Sequence, residues 1–232
     1  HFLVFAPTSK GKSTKTGFDI CGALSAYPDL RAYMFDRNLG LRVLVQALDG
    51  DYLIPEGGGL PLNPFLCEPT DDNMAFLERF IALLAGHAGE DDDTINQIAV
   101  AIRDMMELPP EARSLRQQID KVFPADGDLR KSLRKWAGRD RYGRIFNGER
   151  DALDLDGPRV VAFDMTAAGD EPRINAALTY YFMRRIRASL KARAQATLSA
   201  TPHVIFIDEA APNFNDPVFA REAEVLFREH RK

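Results

Sequence analysis

Short apolar runs, each bounded by turn-forming or charged residues, predict buried strands at Phe2-Leu3-Val4-Phe5 and at residues 32–35, 159–163 and 204–207. Between the first two lies a segment of helix-compatible spacing, residues 14–26, which Pro28 closes because its ring cannot continue the helix. Residues 173–193 place Ile174, Ala177, Leu178, Tyr181, Phe182, Arg185 and Ile186 at near-helical spacing. This segment is predicted to be a crossover helix feeding the strand at 204–207, which makes the sheet largely parallel. A Pro/Asn-rich turn at 211–217 and an amphipathic helix from about Val218 follow.

The middle of the chain has a different period. Asn63-Pro64-Phe65 reads as a break out of the sheet, and from Asp72 to about Gly138 the pattern is helical. Met74, Leu77, Phe80, Ile81 and Leu84 form one stripe; Ile95, Ile98, Ala99, Ile102, Met105 and Met106 form a second. Leu115, Ile119 and Val122, then Leu129, Leu133 and Trp136, predict two shorter helices. The expectation is an α/β core made of residues 1–71 and 139–232, interrupted by a helical subdomain at 72–138. The Met and aromatic stripes read as the core of that subdomain.

Composition sets bounds on this picture. A chain of 232 residues can bury one good α/β core with a small subdomain. No apolar run approaches the ~18 residues of a membrane span. Cys21 and Cys67 are too few and too scattered for a disulfide framework or a zinc site, which suits a reducing cytosol. The formal net charge of −4 argues against a dedicated nucleic-acid domain. The chain opens at His1-Phe2, inside an apolar strand and without a methionine, so a segment of a longer chain is expected.

The chemistry concentrates just after the first strand, in Ala6-Pro7-Thr8-Ser9-Lys10-Gly11-Lys12-Ser13, which runs directly into the helix at Thr14. A strand, a small-residue loop ending in Gly-Lys-Ser and then a helix is the setting of a P-loop. Successive loop N–H groups at Pro7 to Thr14 (proline excepted) and the positive end of the helix would converge on phosphate. Lys12 would reach the outer phosphates, and the Ser13 hydroxyl would hold Mg²⁺. Ala6 stands where a glycine is usual, and Lys10 adds a charge to the loop. Far downstream, the apolar run at 204–207 ends in Asp208-Glu209. An acid at the carboxyl end of a buried strand suits Mg²⁺, the role assigned to Asp208. Glu209 is placed to polarise the attacking water. The two motifs together point to binding of a nucleoside triphosphate, with its hydrolysis resting on Glu209.

Other residues carry less. Asp36, ending its strand, reads equally as a turn acid and as a contributor to the nucleotide site or a neighbour contact. Asp164 reads as a turn residue. Arg130, Lys131, Arg134, Lys135, Arg139, Arg141 and Arg144, with Trp136 and Tyr142 interleaved, read first as a solvated face and second as a track for nucleic-acid backbone. The histidines at 1, 87, 203 and 230 lie far apart, so no metal other than Mg²⁺ is indicated.

The order of motifs resembles the VirB/TrbE/CagE-type ATPases of type IV secretion and conjugation machines, the fourth component of the VirB set. The motifs in question are His1-Phe2-Leu3-Val4 into the P-loop, Phe35-Asp36-Arg37, Gly50-Asp51-Tyr52, Leu62-Asn63-Pro64, Phe76-Leu77, Phe163-Asp164-Met165, Asp208-Glu209-Ala210 and Asp216-Pro217-Val218-Phe219. An aromatic is usual after Asp-Glu-Ala, where this chain has Ala211. The resemblance implies a RecA-like motor domain that hydrolyses ATP with Mg²⁺. It further implies a homo-oligomeric, hexameric ring in the whole protein. That ring would be cytoplasmic, peripheral to the bacterial inner membrane and in contact with other secretion components, and would energise pilus assembly or substrate transfer. Alternatives sharing the same catalytic parts are a DNA translocase or coupling ATPase of FtsK/HerA type and a nucleotide-binding scaffold with weak turnover.

Overall fold

The computed structural model describes residues 11–55, 60–86, 92–166, 168 and 171–208, with the side chains of Lys12 and Arg141 outside that description. The strand expected at 2–5, the loop Ala6 to Lys10, Glu209 and the final turn and helix all fall outside it. The described residues divide into two compact units. One draws on His1–Ile54, Asp154–Gly169 and Phe182–Lys232; the other on Pro55–Leu153 and Asp170–Tyr181.

The first unit is built on a sheet with strand order β2-β3-β1-β4, in which every pairing is parallel. Its strands are β1 (Arg31–Asp36), β2 (Asp51–Leu53), β3 (Val160–Asp164) and β4 (His203–Ile207). Three of these are the runs expected from sequence, each shifted or extended by a residue. The short β2 was not expected; its three residues are exposed or half-buried and give no apolar run to detect. Central β1 is buried along its whole length and β3 likewise, as both-faced coverage demands of parallel strands.

Alternation along the strands sorts their side chains onto two faces. Ala32, Met34, Val160 and Ala162 join Ile20 of α1 (Lys12–Ala26) and Leu41 and Val45 at α2 (Arg42–Ala47) in one buried cluster. The opposite face carries Phe35 and Phe163, whose rings meet Phe182 of α8 (Pro172–Thr197) at centroid distances of 6.3 and 4.1 Å. Each such ring contributes about 1.5–3 kcal/mol by leaving water. At the start of β1, buried Arg31 donates to the carbonyls of Leu155 and Pro158 at 3.1 and 2.8 Å, so its charge is spread over main-chain oxygens.

The helical unit is wider than the 72–138 segment expected for it. It contains α3 (Asp71–Ala85), α4 (Asp92–Met106), α5 (Leu115–Val122), α6 (Asp128–Ala137), α7 (Arg141–Ile145) and the first part of α8 through Tyr181. Thr70, Ser114 and Asp140 cap α3, α5 and α7 by accepting from main-chain N–H groups three residues on. Phe76, Phe80, Phe146 and Tyr181 pack ring against ring, and buried Trp136 donates its indole N–H to the Leu84 carbonyl at 2.8 Å. Ile95, expected in the α4 stripe, is 41% exposed; the buried face of α4 instead runs through Ile98, Ala101, Ile102, Met105 and Met106. Buried Asn63 donates to the carbonyls of Arg113 and Gly148, both at 2.9 Å, and accepts from Phe65, so the Asn-Pro break is a tie point inside this unit. No described helix is long and apolar enough to cross a membrane.

Gly50, entering β2, has no room for a side chain: a Cβ there would lie 2.7 Å from the Val160 carbonyl oxygen and 2.8 Å from the Val160 Cβ. The obstruction is main chain of a central strand and cannot rotate away. Gly50→Ala is therefore expected to destabilise the protein by about 1–3 kcal/mol, the usual range for overpacking, read as a lower denaturant midpoint.

Candidate nucleotide site at the carboxyl edge of the sheet

The site begins with register. Asp36 pairs with Asp164 across β1 and β3, and Phe35 pairs with Ile207 across β1 and β4. The next residue after Ile207 is Asp208, whose N–H donates to the Phe35 carbonyl at 2.9 Å. Parallel pairing thus brings three acids to the carboxyl ends of three adjoining strands, in the order Asp164, Asp36, Asp208. Strands stand about 4.8 Å apart, so this row concentrates negative charge where open α/β sheets bind ligands.

The acids differ in their surroundings. Asp164 accepts from the Thr166 N–H at 2.9 Å, a self-closing turn of the kind aspartate favours, which agrees with its reading as a turn residue. Asp36 is 1% exposed. Its Oδ2 accepts from the Tyr52 hydroxyl at 2.6 Å and from the Leu41 N–H at 3.0 Å. Its Oδ1 is buried without a hydrogen-bond partner. Burial pushes the Asp36 carboxyl above the ordinary range; the bonds from Tyr52 and Leu41 pull the other way, and the Asp164 charge adds to the rise. Burial, followed by the bond to Asp36 and its charge, raises the Tyr52 phenol in turn. The loop leaving β1 is bent sharply, with Asn38 and Leu39 both left-handed at φ 63° and 58°. Such residues cost on the order of 1–3 kcal/mol each and persist where the surroundings hold them. Here the Asn38 N–H donates to Thr166 and the Leu41 N–H to Asp36.

On the P-loop side, Gly11 precedes α1 in the left-handed conformation, φ 78° and ψ 17°, which glycine adopts without strain. No side chain caps the start of α1, and its first turn carries no acid. Lys12 opens the helix, half-buried Ser13 and exposed Thr14 follow, and the helix begins two residues earlier than the spacing predicted. Ser13 and Asp36 both border Gly40: a Cβ built there would lie 3.5 Å from Asp36 Oδ1 and 3.6 Å from Ser13 Oγ.

Of the expected site residues, Gly11, Ser13, Thr14 and Asp208 are described and all belong to the sheet unit. Pro7, Thr8, Ser9, Lys10, Glu209 and the Lys12 side chain lie outside the described residues. Asp36, weighed evenly from sequence, belongs to this edge, and Tyr52 and Gly40 were missed as participants. The Gly-x-Tyr motif at Gly50-Asp51-Tyr52 was the one available signal for Tyr52. Among the described residues no cluster of three or more His, Cys, Asp or Glu could hold a metal by itself. The donors that do gather are oxygens: the Ser13 hydroxyl and an unpartnered carboxylate oxygen, both bordering the place a side chain at residue 40 would fill. Such a set fits Mg²⁺, which is usually held by one or two carboxylates together with substrate phosphates.

The basic cluster is partly committed elsewhere. Arg130 pairs with Asp120, Lys131 with Asp128 at 3.1 Å, and Arg144 donates to the Arg139 carbonyl. Lys135 stands over the rings of Tyr142 and Trp136 at 4.6 and 5.8 Å, with its pKa lowered by burial and then by Arg173.

This geometry defines an α/β protein with a RecA-like parallel core, and solved structures agree on the fold. VirB4 of Thermoanaerobacter pseudethanolicus superposes with a TM-score of 0.70 at 15% identity, covering 94% of this chain and 90% of that one. No protein-family model matches the chain. By sequence it is 27% identical over 237 residues to the type IV secretion system protein PtlC of Bordetella pertussis, covering 95% of this chain and 28% of PtlC. It is 26% identical over 204 residues to VirB4 of Brucella abortus (82% of this chain, 24% of that protein). It is 27% identical over 227 residues to the conjugal transfer protein TrbE of Rhizobium radiobacter (94% and 26%). The chain is a homologue of these VirB4/TrbE-type proteins and spans about a quarter of their length.

Replacing Tyr52 by Phe removes one of the two bonds to Asp36 Oδ2 while keeping the ring. A lost bond to a buried carboxylate costs about 1.5–3 kcal/mol, so Tyr52→Phe is expected to lower the unfolding free energy by that amount in denaturant titration.

Proposed function

We propose that this chain is the ATP-hydrolysing core of a motor that energises type IV secretion or conjugal transfer. The observation that carries the reading is that Ser13, at the start of an uncapped helix, and buried Asp36 both border Gly40 at the sheet edge where Asp208 also follows its strand. Homology to type IV secretion proteins supports the setting.

The reaction is transfer of the γ-phosphoryl group of ATP to water, in which positioning and charge stabilisation supply most of the catalysis. The loop Pro7, Thr8, Ser9, Lys10 and Gly11 offers main-chain N–H groups to the phosphates, except at Pro7, and Thr14 continues the set into α1. The positive end of α1 faces the same anion. The Lys12 ammonium pairs with the outer phosphates. Ser13 and Asp208 would hold Mg²⁺, which when bound neutralises charge on the phosphate oxygens. Glu209, one residue beyond the Mg²⁺ acid, orients the attacking water and accepts its proton. The transition state also calls for an arginine, worth about 10³–10⁵ in rate. In this reading a neighbouring subunit of a homo-oligomeric ring supplies it, at the cytoplasmic face of the inner membrane.

Two variants of the whole protein separate binding from chemistry. Lys12→Ala is expected to lose nucleotide binding and turnover together while its circular dichroism stays that of the parent. Glu209→Gln is expected to retain ATP with Mg²⁺ and to lose about 10²–10⁴-fold in turnover, the range for a removed general base. Parental turnover in Lys12→Ala would sink the P-loop assignment.

The trans arginine makes a separate prediction. Turnover per subunit is expected to rise with protein concentration as rings form, and these residues alone are expected to bind nucleotide yet stay nearly inactive. Full activity of this segment, unchanged down to nanomolar concentration, would show that the catalytic set is complete within it.

A further inference from the structure

Asp36 presents an unresolved electrostatic situation. It is 1% exposed, its Oδ2 accepts from Tyr52 and Leu41, and its Oδ1 is buried with no donor in hydrogen-bonding geometry, the Arg37 N–H adding only to the field that favours the carboxylate. An unpaired buried polar atom costs about 1–3 kcal/mol, more for a charged group, so a complement is expected in the working state. The bare oxygen borders a gap whose other side is the Ser13 hydroxyl, and the gap exists because residue 40 is glycine: a Cβ there would sit 3.5 Å from one oxygen and 3.6 Å from the other. Gly40 has no positive φ that would require glycine for its backbone. Its missing side chain therefore reads as space kept open rather than as a turn requirement.

We infer that Asp36 is a positioning residue of the nucleotide's metal ion, its Oδ1 accepting a hydrogen bond from a water of the Mg²⁺ hydration shell beside Ser13, in the gap that Gly40 leaves. This rests on the nucleotide-site reading above and extends it to a residue outside the P-loop and the Asp208-Glu209 pair. Mg²⁺ gives up its waters reluctantly, so an acceptor at one water's distance suits it better than a further direct ligand. Tyr52 and the Leu41 N–H hold the carboxylate by its other oxygen, which aims Oδ1 at the gap. Outer-shell acceptors of this kind typically account for about 10–100-fold in metal affinity.

The test measures binding of a non-hydrolysable ATP analogue to the whole protein across a Mg²⁺ series and in EDTA, for the parent, Asp36→Asn and Gly40→Ala. Asp36→Asn replaces the acceptor with an amide; Gly40→Ala fills the gap at ordinary van der Waals distances, with no backbone strain, and keeps the test informative should the first variant fold poorly. Half-saturating Mg²⁺ is expected to rise about 10–100-fold in both, with analogue affinity in EDTA and the thermal midpoint of Gly40→Ala unchanged. The electron paramagnetic resonance spectrum of Mn²⁺ bound with the analogue should change in the same two variants. A parental Mg²⁺ dependence in folded variants overturns the inference while leaving the P-loop reading intact. A parent that binds the analogue no better with Mg²⁺ than in EDTA removes the metal reading itself, and this inference with it.

Discussion

The constraint on which the sheet unit depends is the parallel, in-register pairing of β1 with a neighbour on each side. Parallel strands cannot be joined by a tight hairpin, so each connection must cross over and return, and the chain spends helices such as α8 to do so. Those helices cover the apolar faces that continuous strands present. The same pairing sets strand ends level, and because β1, β3 and β4 each lead into an acid, it lines up Asp164, Asp36 and Asp208. Stability and site geometry therefore have one origin. A one-residue slip of β4 would invert its side chains between the two packed faces and would move Asp208 out of the row.

Lining up acids is electrostatically costly, and the molecule handles Asp164 and Asp36 differently. Asp164 folds back on its own turn, and Asp36 is buried with one oxygen held and one bare. The left-handed pair Asn38 and Leu39 is part of that arrangement, since it carries the chain round so that the Leu41 N–H can reach Asp36. Backbone strain, a buried carboxylate and a gap without a side chain occur within five residues of chain. Coincidence of this kind marks places where a protein keeps structure poised for a ligand at some expense to its own stability.

The helical unit follows different rules. Its α3, α5 and α7 carry side-chain caps where the sheet unit's α1 has none, and its interior is held by aromatic rings and by the Trp136 bond to the Leu84 carbonyl. Its basic residues are largely spent on local partners, Arg130 on Asp120 and Lys131 on Asp128. Exposed pairs of this sort contribute little to stability, but they do thin out the free positive charge that the sequence suggests.

Much of this was legible along the chain because it depends on local pattern. Apolar runs at 32–35, 159–163 and 204–207 announce strands, and Gly11-Lys12-Ser13 and Asp208 announce themselves by residue type and place. The order of short motifs, from Gly50-Asp51-Tyr52 to Asp208-Glu209-Ala210, carried the relation to VirB4/TrbE-type proteins that homologues bear out. What the chain could not reveal was set by contacts between distant residues. The strand β2 has too few buried positions to show a period, and Ile95 matches the apolar stripe of α4 but lies off the face that packs. The value of Asp36 depends on Tyr52, Leu41, Gly40 and Ser13, up to 23 residues away in sequence, counted from Ser13 to Asp36. Periodicity reports which side of an element prefers water; which oxygen is left without a partner is decided only when the elements pack.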